Sequence, residues 1–125
     1  MKLQVKSKVK LRLNNTLNLW SKVIFIRFKT KLDNESQGLC WGCKNEGYAE
    51  INIARTSNGD VIPYEMLMQT LAHEMVHAKQ YIRGELNGYS LSWKGAKPRN
   101  YKYENAPWEK EAYKLEKALY EKCWL

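Results

Sequence analysis

The stretch PYEMLMQTLAHEMVHAKQYIRG, running from Pro63 to Gly84, decides how the rest of the chain is read. Proline is tolerated in a first helical turn and glycine is a common stop, so the spacing predicts a helix over residues 63–83. Leu67, Leu71, Met75, Ala78 and Ile82 recur at helical intervals and make one apolar stripe. His73 and His77 are four residues apart, which puts their Cβ atoms about 5–6 Å apart on a shared face. Both histidines fall just outside the stripe, and Glu74 falls at its edge. The expectation is a polar cluster at the border between core and solvent.

The chain has only these two histidines. Imidazoles one helical turn apart can bind a single zinc ion at about 2.0–2.1 Å. Glu74, about 100° further round the axis than His73, lies where a carboxylate can take a proton from a metal-activated water and return it to a leaving amine. A catalytic zinc takes three protein ligands and keeps one position open. The third ligand is then a carboxylate or, less favourably, a cysteine. Pro107 opens a second predicted helix over residues 107–122, with Trp108, Ala112, Leu115 and Leu119 on one side. Glu109 and Glu111 flank that stripe on opposite sides at similar angles, so helical geometry leaves both open as ligands, with Glu104 and Glu116 behind them. Acidic residues in a first helical turn also complement the helix dipole, an effect of about 0.3–1 kcal/mol.

Upstream of the histidines the hydrophobic period changes from helical to two. In residues 2–13, Leu3, Val5, Ser7, Val9, Leu11 and Leu13 alternate with Lys2, Gln4, Lys6, Lys8, Lys10 and Arg12, the pattern of a half-buried strand with a cationic face. Residues 22–28 (KVIFIRF) are rich in β-branched and aromatic side chains and suit a central strand. Tyr48 to Ala54 alternates again, and Ser57-Asn58-Gly59-Asp60 reads as a turn. Residues 85–106, with Gly88, Gly95 and Pro98, read as a long irregular connection. Strands first and helices afterwards predict an α+β fold: a few-stranded twisted sheet packed on the histidine helix, plus a C-terminal helix.

A chain of 125 residues suits a single domain, here residues 1–125. Five Trp and eight Tyr argue against disorder, because such rings need packing partners. No stretch approaches the roughly 20 apolar residues of a membrane span, and Met1 is followed by alternating lysines instead of an apolar signal segment. Three cysteines are an odd number, which suits a reducing cytoplasm better than a disulfide framework. Nine of the 21 basic residues precede Asp33, and all 13 acidic residues lie from Asp33 onward, so the net charge of +8 belongs to the N-terminal quarter. That basic region, residues 1–32, is a possible DNA contact, although lysines on a sheet edge are also a common device against aggregation.

The run Leu71-Ala72-His73-Glu74-Met75-Val76-His77-Ala78 resembles the active-site helix of SprT-like metallopeptidases, within the zincin superfamily. The resemblance implies zinc-dependent peptide hydrolysis, with His73 and His77 as metal ligands and Glu74 as general base. It also implies a strand beside the substrate, for which Tyr48 to Ala54 is the candidate. SprT-like peptidases usually add a third histidine, which is lacking here. The segment Pro107-Trp108-Glu109-Lys110-Glu111-Ala112 is similar instead to the Glu-x-x-Ala helix of glutamate-type zincins, which implies Glu109 as third ligand. Small HExxH proteins of bacteriophages and bacteria combine the two features, and this chain resembles them over about residues 38–120. A protein or peptide substrate and a bacterial or phage-infected cytoplasm follow from that likeness.

Two further features stand apart. Cys40-Trp41-Gly42-Cys43 has the spacing of half a zinc knuckle, but a structural zinc needs four ligands and only Cys123 remains. It reads as a hairpin turn with two packed thiols. Tyr89, Trp93, Tyr101 and Tyr103 could line a cleft, and one of the tyrosines could stabilise an oxyanion; the spacing does not say which.

Overall fold

The computed structural model describes Leu17, Leu19, residues 22–97 and residues 100–124. The cationic strand expected at residues 2–13 lies outside the described residues. Among the described residues, three strands form the main sheet: β1 (Val23–Lys29), β2 (Gly38–Cys43) and β3 (Tyr48–Ala54). Two two-residue strands, β4 (Thr56–Ser57) and β5 (Asp60–Val61), make a hairpin over the predicted Asn58-Gly59 turn. Helix α1 spans Tyr64–Ile82, a second small hairpin pairs β6 (Leu86–Asn87) with β7 (Ser92–Trp93), and helix α2 spans Pro107–Trp124. This is the expected α+β architecture, with α1 packed between the sheet and α2. Among the described residues, no helix is long and apolar enough to cross a membrane.

The sheet order corrects two expectations. β3 lies in the middle, parallel to β1 and antiparallel to β2. Residues 22–28 were expected to form a central strand; among the described residues β1 sits at one end of the sheet. Its β-branched run is satisfied by one buried face, carrying Ile24, while Val23 and Phe25 remain exposed. Tyr48 to Ala54 is a strand as expected, yet it is flanked on both sides; among the described residues the end strand that lines a cleft is β2, through Gly38 and Leu39. Cys40 to Cys43 is not a turn. It lies within β2, and the turn follows at residues 44–47, where Gly47 takes φ +60°.

Why β2 accepts two glycines follows from what α1 does. The rows facing α1 run Ile24–Ala49–Gly42, Ile26–Ile51–Cys40 and Phe28–Ile53–Gly38 from β1 to β2. Side chains shrink towards β2, so the helix comes closest there. A Cβ built on Gly42 would stand 2.9 Å from Tyr81 Cβ and from the Tyr48 carbonyl oxygen. Cys40 faces the helix and Cys43, three residues on, the opposite side of the sheet; none of the three cysteines forms a disulfide.

Helix α1 begins after Pro63 and ends at Gly84, whose φ of +75° is the left-handed cap that only glycine adopts without strain. Every residue from Leu71 to Gln80 is buried. The two histidines and Glu74 are each 7% exposed. The expected border position is narrowed: α2 covers most of the face that a helical wheel of α1 alone assigns to solvent, leaving His73 and Glu74 at the wall of a cavity. The connection at residues 85–106 also carries more structure than expected, with the β6–β7 hairpin and a turn of 3-10 helix at Tyr103–Asn105.

Candidate metal centre

Helix α2 starts at Pro107, and its first turn brings Glu109 against α1. Its carboxylate lies 3.0 Å from His73 Nε2 and 3.2 Å from His77 Nε2, and the two Nε2 atoms are 3.2 Å apart. His73, His77 and Glu109 are all buried and form a group that could hold a metal ion. Two ligands each about 2.0–2.1 Å from a shared tetrahedral ion stand about 3.3 Å apart, close to the spacing observed. The donor set is also the right kind: two imidazoles and one carboxylate.

The far side of each ring is held as well. His77 Nδ1 lies 2.8 Å from Gln80 Oε1, and His73 Nδ1 lies 3.5 Å from Glu116 Oε1. With protons on both Nδ1 atoms, three lone-pair-bearing atoms converge on one point. A cation between them, proton or metal, relieves that repulsion. The acid–base balance agrees. Burial alone would lower the His73 and His77 pKa values, but the hydrogen bonds to Glu109 and the charge of Glu74 outweigh it and raise both. For Glu109, burial raises the pKa, but the bonds from the two imidazoles prevail and hold it down at about 2.

Glu111, which the helical wheel could not separate from Glu109, faces elsewhere. It accepts a bond from Lys79 Nζ at 2.6 Å and from Gln80 Nε2 at 3.1 Å. Glu104 is exposed, and Glu116 serves behind His73. Glu74 lies beside the triad, and burial pushes its pKa up. Its side chain rests on β2: a Cβ on Gly38 would stand 3.0 Å from Glu74 Cγ, 3.1 Å from Glu74 Oε2 and 2.8 Å from Thr70 Cγ2. The bare Gly38 is what lets this carboxylate lie against the strand.

Two neighbouring cavities meet at the triad, of about 490 Å³ and about 150 Å³. Gly38, Leu39, Glu74 and Tyr103 line both. Of the aromatic residues in the 85–106 connection, Tyr103 is thus the one at the site. Trp93 and Tyr101 pack on Trp108, and Tyr89 packs on Trp41. Although the residue is largely exposed, partial desolvation of its hydroxyl at the cleft, with hydrogen bonds to Tyr113 and Glu109, raises the Tyr103 pKa, so the phenol keeps its proton. The sequence did not single out Tyr113, whose ring packs on His73 at 4.7 Å; its position one helical turn after Glu109 is the signal that could have found it. Cys40 lines the smaller cavity, while Cys43 and Cys123 lie elsewhere. No family model, no curated protein and no solved structure matches the chain, so the functional reading rests on these residues and their geometry.

Proposed function

We propose that this protein is a zinc-dependent peptidase of the HExxH type, similar in its site to SprT-like and glutamate-type zincins. His73, His77 and Glu109 hold the metal, and Glu74 is the general base. The observation that carries this reading is the convergence of three ligand atoms beside a buried glutamate that borders an open cleft. When bound, zinc supplies Lewis acidity towards a substrate carbonyl and lowers the pKa of water.

The chain's own residues supply the rest. The outer edge of β2 borders the cleft, so an extended peptide can lie along it by main-chain pairing. Glu74 takes a proton from the attacking water as its oxygen bonds to the carbonyl carbon. The C–N bond then breaks, and the amine leaves with the proton that Glu74 carried. A carboxylate whose burial raises its pKa is suited to holding that proton between the two events. The Tyr103 phenol, which keeps its proton, can donate to the developing oxyanion.

The test is Glu74→Gln, which preserves size and packing. We expect it to bind one zinc per chain as the unsubstituted protein does, and to lose about 10²–10⁴-fold in kcat on an unfolded protein substrate such as casein. Hydrolysis by Glu74→Gln at the original rate would overturn the mechanism. A folded protein that takes up no zinc would overturn the metal site itself.

A further inference from the structure

Among the described residues, Gln80 is the one fully buried polar side chain beside the His73–His77–Glu109 group that the proposed mechanism does not use. It sits three residues after His77 on α1, with no exposed surface. Its amide nitrogen donates to two groups on α2 that can only accept, the Trp108 carbonyl at 2.9 Å and the Glu111 carboxylate at 3.1 Å. Those two partners fix which way round the amide lies. The oxygen must then face His77 Nδ1, 2.8 Å away. An amide oxygen only accepts, so the proton between them belongs to His77 Nδ1. The lone pair of His77 Nε2 is thereby aimed at Glu109 and His73.

Glu111 is itself clamped. Lys79 Nζ, buried, lies 2.6 Å from Glu111 Oε1 and 2.9 Å from Glu85 Oε1. A chain of bonds thus runs from Lys79 through Glu111 and Gln80 to His77, crossing from α1 to α2 and back. His73 has a longer contact on its far side, 3.5 Å to Glu116.

We propose that Gln80 is a positioning residue that fixes the tautomer and orientation of His77, and that Glu111, held by Lys79, acts on the metal site through Gln80. This rests on the zinc-site reading above. Partners behind a metal-bound histidine typically govern about 10–100-fold in metal affinity.

The experiment titrates metal-free protein with zinc against a chromophoric chelator, using Gln80→Leu, Gln80→Glu and Glu111→Ala. Gln80→Leu and Gln80→Glu both forfeit the two bonds that the amide nitrogen donates. Only Gln80→Glu keeps an acceptor for His77. We expect Gln80→Leu to bind zinc about 10–100-fold more weakly and Gln80→Glu to stay well above it. Glu111→Ala weakens binding in the native background and has no further effect in the Gln80→Leu background, since it acts through that residue. In nitrogen-15 spectra of the zinc-loaded protein, the His77 Nδ1–H proton is protected from exchange natively and in Gln80→Glu, and loses protection in Gln80→Leu. Equal affinities for Gln80→Leu and Gln80→Glu, or additive effects of Glu111→Ala and Gln80→Leu, would overturn the proposal. Should Gln80→Leu fail to fold, the other two variants decide: native affinity in Glu111→Ala, or loss of His77 proton protection in Gln80→Glu, overturns it. Failure of the native protein to bind zinc is a separate result, which removes the metal-site reading and this inference with it.

Discussion

The α1–α2 pair and the connection at residues 85–106 both reach the cleft, and they are built in opposite ways. Within the helix pair, the functional side chains are buried and held by partners on two elements. His73, Glu74, His77 and Glu109 are each 6–7% exposed. The connection contributes Tyr103, which is 62% exposed and sits in one turn of 3-10 helix. Metal ligands need fixed positions, because the ion's geometry tolerates little error. A group that meets a passing substrate can sit on a less constrained segment, where such residues are common. In the site as proposed, the helix pair would be the rigid half and the connection its adaptable half.

The sharpest way to break that division is to exchange the two acidic candidates of α2. Glu109→Ala removes a ligand and leaves two imidazoles, so the variant should lose stoichiometric zinc and all hydrolysis. Glu111→Ala leaves all three ligands in place and should retain zinc, bound more weakly. Metal content of purified protein, measured for both side by side, checks this. Equal zinc content in Glu109→Ala and the native chain would mean that the helix pair does not form the metal site.

Next in size is the adaptable half. Tyr103→Phe keeps the ring in the cleft and removes one donor. We expect kcat to fall by on the order of 10²-fold, with KM and zinc content little changed. Unaltered kcat would assign Tyr103 to packing alone and confine the chemistry to the helix pair.

The rigid half also has a wall, and Gly38 tests it. Gly38→Ala places a methyl 2.8 Å from Thr70 Cγ2 and against Glu74. Overpacking of this kind costs about 1–3 kcal/mol of stability. It should also lower kcat by moving Glu74, without displacing the metal. Adding Thr70→Ser removes the methyl it meets first and should recover stability while leaving part of the kcat loss, because the contact with Glu74 remains. Recovery of both together would show that Gly38 serves packing and does not position the base.

How far the sequence reached follows the same division. The His73, Glu74 and His77 positions were legible because helical spacing is local: residues four apart share a face whatever surrounds them. Glu109 and Glu111 were not separable, since their fates depend on how α2 is rotated against α1, which the periodicity of neither helix contains. Burial of the histidines was missed for the same reason. Cys40 to Cys43 reads as a turn because Gly42 has no visible cause in the sequence; that cause is the Tyr81 side chain of α1. β1 and β3 share β-branched composition, so composition could not say which lies in the middle. Tyr103 differs from Tyr89 and Tyr101 only in what it folds against.

The smallest effect concerns protons. In metal-free protein, burial and Glu109 pull the His73 and His77 pKa values in opposite directions, and Glu109 prevails, with help from Glu74. Both imidazoles should therefore titrate above the usual value of about 6.5. A raised pKa in the folded state stabilises the metal-free protein fully below the unfolded-state pKa, and that contribution is lost as pH rises through the folded-state value. Zinc competes with those same protons, so its affinity rises with pH across this window. Glu109, held at about 2, contributes in the other sense: its share is present above the unfolded carboxylate value and is lost only as pH falls towards about 2. Glu109→Gln should remove the opposing pull and leave burial dominant, so both histidine pKa values should drop relative to the native chain. Proton NMR titration of the metal-free ring signals reads this directly. If the two values stay where they were in Glu109→Gln, then Glu109 is not what charges the imidazoles, and the close approach of α2 to His73 and His77 does not hold in solution.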